Sequence, residues 1–119
     1  MIELSAATDR STYAVRVTVS DELGEPTAPV TLKWTLLDGK NKIINNRKDI
    51  PIIPPTTVMH IVLSADDIEY RASNSYAENN RHLVVEGTYN SALTGTVMPI
   101  REGFKFSLLD LPEEAVSSI

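Results

Sequence analysis

The sequence predicts an all-β protein: a single immunoglobulin-like antiparallel two-sheet sandwich of seven to eight strands with one short helical turn. Three observations predict it. Apolar Val30, Leu32, Trp34 and Leu36 alternate with polar Thr31, Lys33 and Thr35, the period of a strand with one face in a core and the other in water. A Trp at the centre of such a strand is a feature of immunoglobulin-type sandwiches. Turn signals then punctuate the chain roughly every 8–12 residues, the spacing of short strands in a sandwich.

The elements follow in order. Tyr13 to Val19 places Tyr13, Val15, Val17 and Val19 on one face of a first strong strand, and Gly24, Pro26 and Pro29 mark the loop after it. The Trp34 strand runs into Asp38-Gly39, a favoured hairpin pair because both turn positions tolerate positive φ. Lys42 to Asn45 is expected to return beside it as a short partner strand. Asp49 to Pro55 is apolar but broken by Pro51, Pro54 and Pro55. Proline cannot donate to a ladder, so this segment is an edge strand or an extended crossover. Thr57 to Leu63 is a nearly continuous apolar run, as in a strand covered on both faces or one whose phase a bulge shifts. Ser64 to Ile68 opens a helical turn, with Ser64 as cap and Asp66 and Asp67 in the first turn.

Arg71 to Asn80 is a polar loop. Arg81 to Tyr89 is the next strand, with Leu83, Val85, Gly87 and Tyr89 on one face, and Gly87 is expected to admit the Trp34 ring from the facing sheet. Leu93 to Val97 is expected to be a short strand. Glu102 to Leu108 is the last, with Phe104, Phe106 and Leu108 inward. The acidic, small-residue tail from Pro112 to Ile119 reads as frayed or as an attachment point.

Composition narrows the function. A chain of 119 residues fits one domain spanning residues 1–119, long enough to bury roughly two-thirds of its unfolded surface. It contains no cysteine, which removes disulfides, thiolate chemistry and cysteine-based metal sites together. A formal charge of -5 argues against a general affinity for nucleic acid, which needs a basic face. Lys40, Lys42, Arg47 and Lys48 form a local basic patch, for which a solvated hairpin edge is sufficient reason. Met1 to Ser5 lacks the basic start and apolar run of a signal peptide. No apolar segment approaches the roughly 20 residues of a bilayer span, so no membrane partner is expected.

No motif for catalysis, cofactor or metal emerges. His60 and His82 are the only histidines, and they stand in no fixed spacing with a third zinc ligand. Asp66, Asp67 and Glu69 lack the alternating acidic loop of a calcium site, and helix capping accounts for the two aspartates. Asp38 begins no ligand series and suits its turn. There is no glycine-rich phosphate loop, nucleophile elbow or His-Glu metal motif, so the expectation is a protein that is not an enzyme. Two binding surfaces stand out instead. The Lys42 to Ile53 edge offers Ile50, Ile52 and Ile53 as apolar anchors beside Lys42 and Arg47, suited to protein contact. Tyr70, Asn74 and Tyr76, in or beside the polar loop, have the composition of an adaptable binding loop for glycan or protein.

Four segments carry a family resemblance: Trp34-Thr35-Leu36 with Asp38-Gly39 and Ile44 to Arg47, Ile61 to Ile68, Arg81 to Ser91, and Pro99 to Phe106. Together they resemble the small immunoglobulin-like sandwich proteins encoded in prophage and tailed-phage structural gene clusters of bacteria, over roughly Val30 to Leu109. The resemblance implies a non-enzymatic virion structural or assembly protein with no cofactor, acting on other virion or assembly proteins or on copies of itself. It implies synthesis in the bacterial cytoplasm and later residence in the particle. A carbohydrate-binding or surface-adhesion module is the alternative.

Overall fold

The computed structural model describes residues 2–110; the predicted tail from Pro112 to Ile119 lies outside the described residues. Among them are eight strands: β1 (Ile2–Glu3), β2 (Ala7–Thr8), β3 (Tyr13–Thr18), β4 (Thr31–Asp38), β5 (Ile50–Pro51), β6 (Val58–Leu63), β7 (Asn80–Asn90) and β8 (Val97–Leu109). A 3₁₀ turn, Ala65–Ile68, joins β6 to β7. The larger sheet runs β1-β8-β7-β4-β5, with β2 also on β8, and the smaller sheet is β3-β6.

The two sheets share one core. β3 contributes Val15 and Val17, β4 Leu32, Trp34 and Leu36, and β6 Met59, Ile61 and Leu63. β7 adds Leu83 and Val85, β8 adds Phe104, Phe106 and Leu108, and Ile68 closes one end from the 3₁₀ turn. Each set sits at alternate positions of its strand, so the sequence period is converted directly into one buried face per strand. The Asp67 carboxylate secures the 3₁₀ turn by accepting from the Ser64 backbone N–H at 2.9 Å and its hydroxyl at 3.0 Å.

Several expectations are corrected. The sheets are not wholly antiparallel, because β1 and β2 pair parallel to β8. Parallel pairing requires a long connection, and the whole of β3 to β7 supplies one here. Lys42 to Asn45 forms no partner strand; its only ladder contact with β4 is an isolated Leu37–Ile43 bridge. Asn41, Asn45 and Asn46 adopt positive φ of 65°, 51° and 58°, and these left-handed residues coil the segment out of ladder register. The edge of β4 is completed by Arg47, whose carbonyl accepts from Leu36 N–H at 2.8 Å, and by β5. Gly39 is needed for close approach rather than for positive φ: a Cβ there would lie 2.5 Å from the Ala77 carbonyl oxygen.

Leu93 to Val97 forms no separate strand. Ser91 to Thr96 closes a hairpin, with Ser91 N–H donating to Thr96 O at 2.9 Å, and β8 runs unbroken for 13 residues. The hairpin extends past the core, since the buried positions of β8 begin only at Phe104. Val30 lies at the same end and is 46% exposed instead of inward. β6 contains no bulge: six consecutive pairs join it to β3. Its second apolar face is open, with Val58 39% and Val62 59% exposed.

Gly87 and Trp34 belong to the same sheet, with Gly87 opposite Leu32 and Trp34 opposite Val85. A Cβ on Gly87 would meet the Thr31 carbonyl oxygen at 2.1 Å. The absent side chain therefore makes room for the neighbouring backbone, not for the Trp34 ring.

Candidate functional site

The Lys42 to Ile53 edge is only partly available for contact. Ile50 and Ile52 are half-buried and pack against the core, because β5 pairs with β4 directly over it. Ile53, next in the chain, is 82% exposed. Lys42 is exposed, whereas Arg47 is half-buried, with its Nε 3.3 Å from Asp67 Oδ1. Of the expected anchors, Ile53 alone projects freely.

The Tyr70, Asn74 and Tyr76 set is brought together. All three line a hollow of about 260 Å³ with Asn79, Asn80 and Ser107. Tyr76 is 80% exposed, while Tyr70 is half-buried against the core, its N–H donating to Asp9 Oδ1 at 2.8 Å. One tyrosine is thus a free platform and the other part of the frame.

A buried charged cluster lies beside the 3₁₀ turn, and sequence reasoning did not find it. Asp38, Asp67 and Arg81 are 5%, 0% and 4% exposed, with Asp38 opposite Arg81 in the β4–β7 ladder. Arg81 Nε donates to Asp67 O at 2.8 Å, and its guanidinium also reaches the carbonyls of Glu78 and Asn80. Asp38 Oδ1 accepts from the N–H groups of Lys40 and Lys42. Asp67 Oδ1 accepts from Asn45 Nδ2 and Arg47 Nε. Burial pushes the Asp67 carboxyl up, but the hydrogen bonds from Asn45, Ser64 and Arg47 outweigh it and leave the group below its ordinary value. Burial likewise lowers Arg81 from its ordinary value. Every one of these bonds closes a loop or a strand end, which makes the cluster a structural lock.

A hollow of about 470 Å³ opens between the two sheets. Val17, Val19, Leu32, Val85, Ile100 and Phe104 supply its apolar floor, with Arg16, Glu22, Arg101 and Glu102 among the charged groups on its rim. The edge of β3 borders it. Val19 N–H donates to Thr57 O, and since antiparallel ladders alternate, the odd-numbered residues of β3 bond to β6. Ala14, Arg16 and Thr18 therefore turn their N–H and C=O groups away from β6, toward the open side. Glu22 anchors the far rim, accepting from the Ser91 and Tyr89 hydroxyls and from Ala92 N–H at 3.0 Å. Those bonds, Ser91 first and Tyr89 next, hold its carboxyl down to about 2. No local pattern marks this cleft in the sequence, because it depends on which sheet each strand joins.

No protein-family model, no curated protein and no solved structure matches the chain. Among the described residues no group of three or more His, Asp or Glu side chains is placed to hold a metal ion. No helix among them is long and apolar enough to cross a membrane.

Proposed function

We propose that the chain is an immunoglobulin-like sandwich that serves as a non-enzymatic assembly component, working through protein–protein contacts. The connectivity supports the immunoglobulin reading. β3 and β6 pair in one sheet while β4, β7 and β8 form the other, as strands B and E face C, F and G in that fold. Trp34 occupies the centre of β4, the C position. The observation that carries the functional reading is the 470 Å³ cleft with an apolar floor, bordered by the edge of β3 that is unpaired among the described residues. A cleft built this way accepts an extended segment of another protein, with the β3 backbone supplying hydrogen bonds and the floor taking alternate side chains. The setting, a bacteriophage or prophage particle with other virion proteins as partners, rests on the sequence resemblance alone.

Thr18→Pro tests the mode of contact. It deletes an outward N–H and no bond to β6, a placement an edge strand tolerates. Extended peptides selected against the wild-type protein are expected to alternate apolar and polar residues and to lose binding to this variant. Selection that yields no binders, or binders indifferent to Thr18→Pro, overturns the reading.

The hollow beside exposed Tyr76 favours a second reading, a glycan-binding surface, since a free aromatic face beside Asn side chains suits sugar rings. A glycan array decides it: binding to a defined glycan class supports this reading, and an array without binders removes it.

A further inference from the structure

The smaller sheet has two strands, and a two-stranded ribbon gains from any further pairing. The edge of β6 away from β3 is the place where it is least protected. By the same ladder alternation, Val58, His60 and Val62 direct their N–H and C=O groups outward. The Val58 carbonyl accepts from Thr56 Oγ1 at 2.7 Å. The edges of the larger sheet are blunted by recognisable devices, and the outer edge of β3 borders the cleft. β5 is two residues long and ends in Pro51. On β8, Pro99 has no N–H, and the Glu102 carboxylate accepts from Gly103 N–H at 3.0 Å. β6 carries no proline, lysine, carboxylate or bulge.

Its side chains also match a copy of themselves. Val58-Met59-His60-Ile61-Val62 reads nearly the same in both directions about His60, and the outward-facing members are Val58, His60 and Val62. We propose that a second copy of this chain pairs antiparallel along β6, about a two-fold axis through His60, to give a continuous four-stranded β3-β6-β6-β3 sheet. In that register His60 exchanges two backbone bonds with its counterpart, and Val58 does the same with Val62 of the second copy. The two exposed valines then cover each other, and Met59 faces Ile61 where the cores adjoin. Arg16, opposite His60 on β3, lies about 14 Å from its counterpart across three strand spacings, beyond a Debye length of about 8 Å.

The two-fold arrangement closes on itself, so assembly stops at two copies. One strand a side is far smaller than the roughly 20–30 residues a side of a standard interface, and the dimer is accordingly weak. It uses a surface separate from the cleft, so either contact stands if the other fails.

Light scattering coupled to size-exclusion chromatography, across about a hundredfold range of concentration, is the test. The wild-type chain is expected to pass from monomer to dimer and no further. Val58→Lys with Val62→Lys sets lysine opposite lysine in both flanking pairs and is expected to stay monomeric throughout. Val58→Lys with Val62→Glu sets lysine opposite glutamate and is expected to restore the dimer. Both positions are solvent-exposed in the monomer, and circular dichroism confirms that the variants fold. Amide exchange supplies a readout free of substitutions: Val58, His60 and Val62 should gain protection only at high concentration. A strict monomer, growth beyond two copies, a dimer unaffected by the paired lysines, or failure of the lysine–glutamate pair to restore it overturns the proposal.

Discussion

At the scale of single residues, environment overrides type. Gly87 could be read as space for an aromatic ring, but its neighbour is the Thr31 carbonyl, 2.1 Å from where a Cβ would stand. Backbone on a paired strand yields less readily than a side chain, so Gly87→Ala is expected to cost at least about 2 kcal/mol, in the range of overpacked sites. A lower urea midpoint with an unchanged slope is the result that checks it. The isoleucines of the proline-rich edge divide in the same way. Ile53→Asp, at 82% exposure, should change stability by less than about 0.5 kcal/mol. Ile52→Asp puts a carboxylate against the core that Ile52 packs on, and should cost about 2 kcal/mol or more. Thermal melts of the two variants separate the anchor that faces solvent from the one that holds the sheet. In both cases the amino acid names its chemistry, while its neighbours decide what that chemistry meets.

At the scale of elements, alternation was the legible signal and irregular backbone was not. β3, β4 and β7 read correctly because one buried face per strand leaves a period-two trace. Lys42 to Asn45 read wrongly because its apolar pair, Ile43 and Ile44, resembles a strand, while the left-handed asparagines beside it are set by the Asp38 turn and the Arg47 contact. β8 is longer than the expected Glu102 to Leu108 strand because Val97 to Arg101 bury no residue fully and leave no alternating trace, while Pro99 and Gly103 stand inside it without breaking it. Both sit on an edge where a missing or side-chain-capped N–H costs no ladder bond. The β7–β8 hairpin shows how a loop residue can stiffen an element from outside. Glu22 holds its tip through Ser91, Tyr89 and Ala92. With the folded carboxyl at about 2 and an unfolded one near about 4.3, this stabilisation is complete above the unfolded value. It is lost as pH falls through that window toward the folded value. Glu22→Gln should therefore melt below the wild-type protein at pH 6, with the gap closing by pH 2, as melting temperatures measured across that range will show.

At the scale of the whole molecule, the two sheets are joined without a disulfide, since the chain has no cysteine; the shared core around Trp34 and bonds such as those of Glu22 and Arg81 hold them. The sequence by itself determined the all-β class, the main strands β3, β4, β6 and β7, the proline-rich edge, and the face that β3, β4, β7 and the inner half of β8 bury. These are local properties, written in alternation, proline and turn chemistry. Only the tertiary structure decided which strands share a sheet, and with that, everything a partner could meet. It set Gly87 in Trp34's own sheet, drew Arg47 to Asp67, and gathered Tyr70, Asn74 and Tyr76 around one hollow. It also parted the sheets over the apolar cleft and left the outer edge of β6 unpaired among the described residues. Such features arise from contacts between residues far apart in the chain, and no local period records which distant strand a given edge will find.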